Sequence, residues 1–213
     1  MPEKIIELKE NVFVIPNGTN VGVILSFNEG DDGEEKNCDV FLVDSGSTEI
    51  DGDWILDNLY DFFRLPCNKN LNFKIKSIIT THAHADHCGA HNYIKEKTAC
   101  TIISPLHERG NMETPIMLSS ILWGGYPPHE LRTLFFQSEE VFPDLVISSD
   151  YEIILSGERI ITFLDLPGHS QGHFGVVINF SDGSKILFSG DALFTREEMA
   201  KHWIPLIANP NEF

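Results

Sequence analysis

The chain opens on short apolar runs broken by turn-forming residues. Asn11–Pro16, Val21–Phe27 and Asp39–Val43 are rich in Val, Ile and Phe, and are separated by Asn17-Gly18 and by the acidic, glycine-containing stretch Asn28–Asn37. That pattern predicts strands of an antiparallel meander. The period then changes. Over Asp51–Leu65, Ile55, Leu59, Phe62 and Phe63 recur at helical spacing, with Asp51 placed to cap the start and Pro66 just past the end, so a helix follows the strands. Lys74–Thr80 is strand-like again and runs into Thr81-His82-Ala83-His84, which puts polar residues where a strand gives way to a loop.

Beyond this point Gly89–Lys97 reads as a helix and Ala99–Ser104 as a short strand. Met112–Gln137 reads as a largely helical insertion interrupted by Gly124-Gly125-Tyr126-Pro127-Pro128. Strands return at Tyr151–Leu155, Arg159–Leu166, Phe174–Phe180 and Lys185–Ser189, the last two joined by a hairpin turn at Ser181-Asp182-Gly183-Ser184. Two strand-rich blocks separated by helices predict two sheets packed on each other with helices outside. A single domain over 1–213, with the helical insertion around 107–140, is the simplest organisation.

Composition narrows the function. The 213 residues are 42% hydrophobic and 22% charged, as in an ordinary globular protein with a substantial core. A formal net charge of −17 at pH 7 repels phosphate backbones and anionic lipid, and the Lys and Arg residues form no basic run, so no nucleic-acid partner is expected. The start, Met1–Pro16, is too interrupted by charge for a secretory signal, and no segment reaches membrane-spanning length. A soluble cytoplasmic protein without a membrane partner is expected. Cys38, Cys67, Cys88 and Cys100 are irregularly spaced, which fits reduced thiols better than a disulfide framework or a zinc knuckle.

The chemistry concentrates in three places. His82, His84, Asp86 and His87 are four ligand-type residues packed at a strand end. In an extended segment His82 and His84 project to the same side, and a turn at Ala85 would bring Asp86 and His87 to a neighbouring point. A surface histidine cluster, with Asp86 capping the helix that follows, is the alternative, but four such residues in one short run favour metal. Another strand end carries Gly168-His169-Ser170, where Gly168 and Gly172 permit a tight loop that presents His169 inward. A third apolar strand ends on Gly190-Asp191. Singly these two loops are bland; with the first cluster they complete a nitrogen and oxygen donor set suited to zinc, manganese or iron.

Val43-Asp44-Ser45-Gly46, His-x-His-x-Asp-His at 82–87, Gly168-His169-Ser170 and Gly190-Asp191, in that order and across most of the chain, resemble the metallo-β-lactamase fold superfamily. The resemblance implies an αββα four-layer sandwich with metals at the sheet edges. It implies two divalent ions, zinc foremost with iron or manganese as alternatives. His82, His84 and His169 would bind the first ion, Asp86 and His87 the second, and Asp191 would bridge them, while Asp44 would orient ligands without binding metal. Members holding two metals usually supply a further histidine well downstream of the Gly-Asp motif. Here only Ala192–Phe213 follow, so the C-terminal part of the fold is expected to be missing, and His202 reads as a surface or packing residue.

The implied activity is hydrolysis of an ester, thioester, lactone or amide of a small molecule by metal-activated hydroxide, with Asp86 also serving catalytically to orient the nucleophile or carry its proton. Two alternatives stand beside it. One is a mononuclear iron dioxygenase of sulfur compounds on the same fold, using the equivalents of His82, His84 and Asp191. The other is a non-catalytic metal-binding fragment. A homo-oligomer is compatible with the sequence. Trp123 and Tyr126 are as suited to packing helices as to lining a substrate pocket. Cys88 reads as a buried thiol at the start of a helix. His91, His107, His129 and His173 read as non-ligands, His173 being the closest to an exception because it lies four positions after His169.

Overall fold

The computed structural model describes residues 5–27, 36–123, 138–197 and 208. Among them the first strand block forms a seven-stranded sheet in the order β1 (Ile6–Lys9), β2 (Val12–Ile15), β3 (Val21–Phe27), β4 (Lys36–Val43), β5 (Leu71–Ile79), β6 (Thr101–Pro105) and β7 (Leu145–Ile147). Neighbours from β1 to β4 run antiparallel, as the meander predicts; from β4 to β7 they run parallel. The second sheet is antiparallel, in the order β11 (Lys185–Phe188), β10 (Phe174–Asn179), β9 (Ile160–Asp165) and β8 (Glu152–Ile154). The hairpin turn between β10 and β11 is as expected, with Asp182 Oδ1 accepting from the Ser184 N–H at 2.9 Å.

Side-chain alternation decides which face each residue serves. In β4, Val40 and Leu42 join Ile55, Leu56, Leu59 and Phe63 of helix α1 (Glu49–Phe63) and Ile94 of helix α3 (His91–Thr98) in one core. Phe41 and Val43, one residue out of step, join Ile161 and Phe163 of β9 and Val176 and Ile178 of β10 in a second core between the sheets. The first sheet is therefore buried on both faces, which is why its strands read as nearly continuous apolar runs. Among the described residues, helices, sheet and sheet stack as three of the four layers of the αββα arrangement expected from the sequence, and the outer face of the second sheet leaves Leu164 and Leu187 partly exposed.

Local differences have identifiable causes. The cap of α1 is Thr48 rather than Asp51. Asp51 occupies the third helical position, and its Oδ2 accepts the backbone N–H groups of Ser47 and Thr48 at 2.9 and 3.0 Å, the carboxylate half of a capping box. The helix expected over Gly89–Lys97 is present as α3, and a separate short helix, α2 (Ala85–Cys88), precedes it, so Cys88 closes that helix instead of starting the next one. Asp86 lies inside the first turn of α2 and caps nothing. Strands β1 and β7 carry little sequence signal because they bury little: β1 has three exposed positions of four, and β7 has one buried residue of three. The insertion opens with α4 (Arg109–Glu113) and α5 (Pro115–Trp123); its Gly-Gly-Tyr-Pro-Pro segment, His129 and His202 lie outside the described residues. No helix among the described residues is long and apolar enough to cross a membrane.

Candidate metal centre

The polar residues singled out in the sequence converge at one edge of the two packed sheets. Residues 80–84 leave the end of β5 as a short loop, and α2 begins immediately, with His84 extended (φ −68°, ψ 145°) in the position before its first residue. Residues 166–173 form the loop from β9 to β10. Asp191 follows β11 in a short 3₁₀ turn, Gly190–Ala192. The Phe174 N–H donates to the Thr81 carbonyl at 2.9 Å and stitches the second sheet to the first-cluster loop.

Three imidazoles meet nitrogen to nitrogen. His84 Nδ1 lies 2.9 Å from His82 Nε2 and 2.9 Å from His169 Nε2, and all three rings are buried. His82, His87 and Asp191 make a second group, and in each group the donor atoms lie within 4.8 Å of one another. Asp191 stands between the groups, with Oδ1 3.2 Å from His87 Nε2 and Oδ2 3.4 Å from His169 Nε2. Asp86 sits at the margin. Its Oδ2 is 3.6 Å from His87 Nε2 and accepts the Thr19 hydroxyl at 3.2 Å. All six residues expected at the site are thus brought together, five of them in the two close groups and Asp86 beside the second.

The donor set tests whether cations fit. His87 Nε2 is buried and makes no aligned hydrogen bond within the protein, an arrangement that is costly unless an electrophile takes the lone pair or the carboxylate opposite pairs with a proton there. Nitrogen and carboxylate donors crowded with no apolar filler between them are what a first-row divalent ion requires. The titration of His84 and His82 agrees. Burial, followed by the neighbouring His169 and His87, pushes His84 down to about 3, and burial with His87 and His84 pushes His82 well below its usual value. Both are therefore neutral at pH 7, the form that binds metal. His87 is held the other way. Burial pushes it down, but Asp44, Asp191 and Asp86 outweigh that and hold it well above the usual value. Burial likewise raises Asp191, yet His87, His169 and His84 overcome it and bring the carboxyl to about 2.

Asp44 orients this assembly. Its φ of +64° is unusual for a residue with a side chain. From there Oδ1 accepts the Thr81 N–H at 2.8 Å, and Oδ2 accepts the Thr81 hydroxyl and His87 Nδ1, each at 2.8 Å. Since the Thr81 hydroxyl donates to Asp44, its oxygen is available to His82 Nδ1 at 3.1 Å. The carboxylate thereby directs Nε2 of both imidazoles inward.

Two residues that the sequence does not place among the ligands belong here. Glu108, fully buried just after β6, extends its carboxylate to three donors in the ligand-bearing loops, besides the Asn111 side chain of its own helix: the Ala83 N–H at 3.0 Å, the Ser170 hydroxyl at 2.8 Å and the Gly172 N–H at 2.7 Å. Burial raises its carboxyl, while Gly172, Ser170, Ala83 and Asn111 pull the other way. The only available signal was its place at the end of another parallel strand. His173, expected as a non-ligand with an argument for exception, is buried with its ring stacked on His82 at 4.7 Å, and its Nε2 accepts the Asp191 N–H at 3.1 Å. Burial is the main cause of its fall to about 4, so this nitrogen is an acceptor at neutral pH. His91 is likewise structural, held between Ser45 and Thr80.

Known proteins resemble this chain in sequence and fold. The chain is 30% identical over 122 residues to the hydroxyacylglutathione hydrolase of Rhizobium etli, covering 57% of this chain and 35% of that protein. It is 30% identical over 128 residues to the acyl-coenzyme A thioesterase MBLAC2 of Homo sapiens, covering 60% of this chain and 44% of that protein. The chain therefore spans less than half the length of these relatives. The crystal structure of BJP-1, a subclass B3 metallo-beta-lactamase of Bradyrhizobium japonicum, superposes with a TM-score of 0.62 at 23% identity over 87% of this chain and 61% of that one, which shows a common fold. Residues 36–209 match the profile of the Metallo-beta-lactamase superfamily. With the motif order, the two-sheet architecture and this match in agreement over most of its length, the chain belongs to the metallo-β-lactamase superfamily.

Proposed function

We propose that the protein is a hydrolase that holds two divalent metal ions, zinc foremost, and cleaves the acyl bond of a small-molecule thioester, or of a related ester, lactone or amide. The observation that carries this reading is Asp191, whose two oxygens face His169 and His87 from between the two donor groups. His82, His84 and His169 would hold one ion, Asp86 and His87 the other, with Asp191 shared. Bound there, the ions supply Lewis acidity and water acidic enough to ionise near pH 7.

The chain's own residues supply position and proton handling. Asp44 fixes the ring orientation of His87, and of His82 through Thr81, so no reorganisation is required when charge develops in the site. Asp86 and Asp191 are both partly exposed, with 23% and 28% of their side chains accessible. Asp191 is engaged between His87 and His169, whereas Asp86 lies beside the two close groups, so it is the carboxylate left to exchange a proton with a water or a leaving group at the mouth of the site, and Thr19 holds it in place. Thioesters come first among substrates because one relative is named an acyl-coenzyme A thioesterase and the other a hydrolase of hydroxyacylglutathione, an acyl group carried on a thiol compound. The overall charge of −17 weighs against a polyanionic polymer as substrate.

The test is to load the metal-free protein with zinc, manganese or iron and assay S-acyl glutathione, acyl-coenzyme A, aryl ester and lactone substrates. Hydrolysis that requires added zinc or manganese and disappears in Asp191→Ala supports the proposal. Activity confined to the iron-loaded form, with oxygen consumed and a thiol oxidised, would replace it with the dioxygenase reading.

A further inference from the structure

We propose that Glu108 is a positioning residue that sets the spacing between the two loops of the three-imidazole group, and so controls metal affinity at that group more than at the His87–Asp191 group. The inference rests on reading the three-imidazole group as a metal centre. Glu108 occupies the position immediately before the first residue of α4, where short polar side chains commonly cap the helix. It makes no side-chain cap there. Instead Oε2 accepts the N–H of Ala83, the residue between His82 and His84, and Oε1 accepts both the Ser170 hydroxyl and the Gly172 N–H in the loop that carries His169. One fully buried carboxylate thus joins all three imidazole carriers.

The surroundings are built to permit this. A Cβ on Gly172 would lie 2.6 Å from His107 Cβ and 2.9 Å from the His107 carbonyl carbon, so only glycine brings that loop close enough to reach Glu108. Asp44, the other buried carboxylate at the site, reaches Thr81 and His87 and has no hydrogen bond to the 166–173 loop. The two carboxylates therefore divide the work: Asp44 aims rings, and Glu108 fixes the distance between backbones. The Phe174 N–H bond to the Thr81 carbonyl does not involve Glu108, so on altering Glu108 the loops would loosen without parting.

Glu108→Gln isolates the effect, because an amide keeps the shape but offers one acceptor oxygen and turns an NH₂ donor toward a backbone N–H or the serine hydroxyl. Cobalt(II) and zinc would be titrated into metal-free wild type, Glu108→Gln and Ser170→Ala. Visible cobalt spectra report coordination of the first ion bound, competition with a chromophoric chelator reports affinity, and melting of the metal-free forms reports folding. The expected result for a folded Glu108→Gln is a first-ion affinity lower by about 10- to 100-fold, the range typical for partners of metal ligands, with an altered first-ion cobalt spectrum and a smaller change at the second ion. A folded Glu108→Gln with wild-type affinity and spectrum would overturn the proposal. Should that variant not fold, Ser170→Ala decides, since it deletes one donor and leaves the carboxylate: a several-fold loss supports the proposal and an unchanged affinity overturns it. Wild type that binds neither ion would overturn the metal-centre reading itself, and this proposal with it.

Discussion

Gly190→Ala should damage the protein in two separable ways. Gly190 has φ +49°, and a side chain in this left-handed region costs about 1–2 kcal/mol. An added Cβ would also lie 2.7 Å from His173 Nε2 and 2.8 Å from Thr81 Oγ1. Neither neighbour can swing aside freely. Both are buried; His173 holds the Asp191 N–H, and Thr81 holds Asp44. Overpacking of this kind adds about 1–3 kcal/mol, for a combined loss of about 2–5 kcal/mol. At roughly 2–4 °C per kcal/mol for a chain of this size, the melting temperature should fall by about 4–20 °C. The control is Gly183→Ala, with φ +81° and nothing within 4 Å of the new Cβ, where only the backbone cost applies. Thermal unfolding of the metal-free proteins compares the two, and metal content after reconstitution reports whether Asp191 has moved. If Gly190→Ala melts no lower than Gly183→Ala and retains the same metal content, the tight packing of His173 and Thr81 beneath Asp191 does not have the consequence argued for it.

Other perturbations have equally definite outcomes. Asp44→Asn leaves one acceptor oxygen for three donors; urea unfolding should show a loss of about 1–3 kcal/mol, and chelator competition a metal affinity lower by about tenfold or more. Asp51→Ala removes the carboxylate of the α1 capping box and should cost about 1 kcal/mol near neutral pH. Burial raises the Asp51 carboxyl, but Asn17, Ser47 and Thr48 outweigh it and hold it below its ordinary value of 3.8. A depressed carboxyl stabilises fully above that value and loses its contribution as pH falls through the folded value, so the urea midpoints of wild type and variant should converge only below about pH 4. Ile161→Ala, at a fully buried position between the sheets, should cost about 2–5 kcal/mol, whereas Ile154→Ala, 81% exposed, should stay within about 0.5 kcal/mol of wild type.

Much of the site was legible in the sequence because its residues lie where strong local patterns stop. The run from His82 to His87 begins where the apolar strand β5 ends, and Gly168-His169 and Gly190-Asp191 follow β9 and β11 in the same way. Strand ends of packed sheets share an edge, so these positions could be read as neighbours. Glu108 follows β6 on the same logic, but a lone glutamate beside Arg109 has no pattern to distinguish it from a solvated surface residue. Its role arises from the 83 and 170–172 loops, far away in sequence. His173 escaped for a similar reason. Its value lies in receiving one N–H from a turn that the chain forms 18 residues later. Among the strands, β3 was marked to the residue by its apolar run, while β1, with three exposed positions out of four, has little burial to encode.

The most direct test of the central claim is the metal content of the purified chain after dialysis against zinc, measured beside a His84→Ala, Asp191→Ala double variant whose folding is checked by circular dichroism. The two donor groups should hold close to two zinc ions per chain, the folded double variant should lose most of this, and thioester hydrolysis should follow the metal content. Less than one ion per chain, or equal retention by wild type and the folded double variant, would contradict the assignment of His82, His84, Asp86, His87, His169 and Asp191 as a binuclear metal centre.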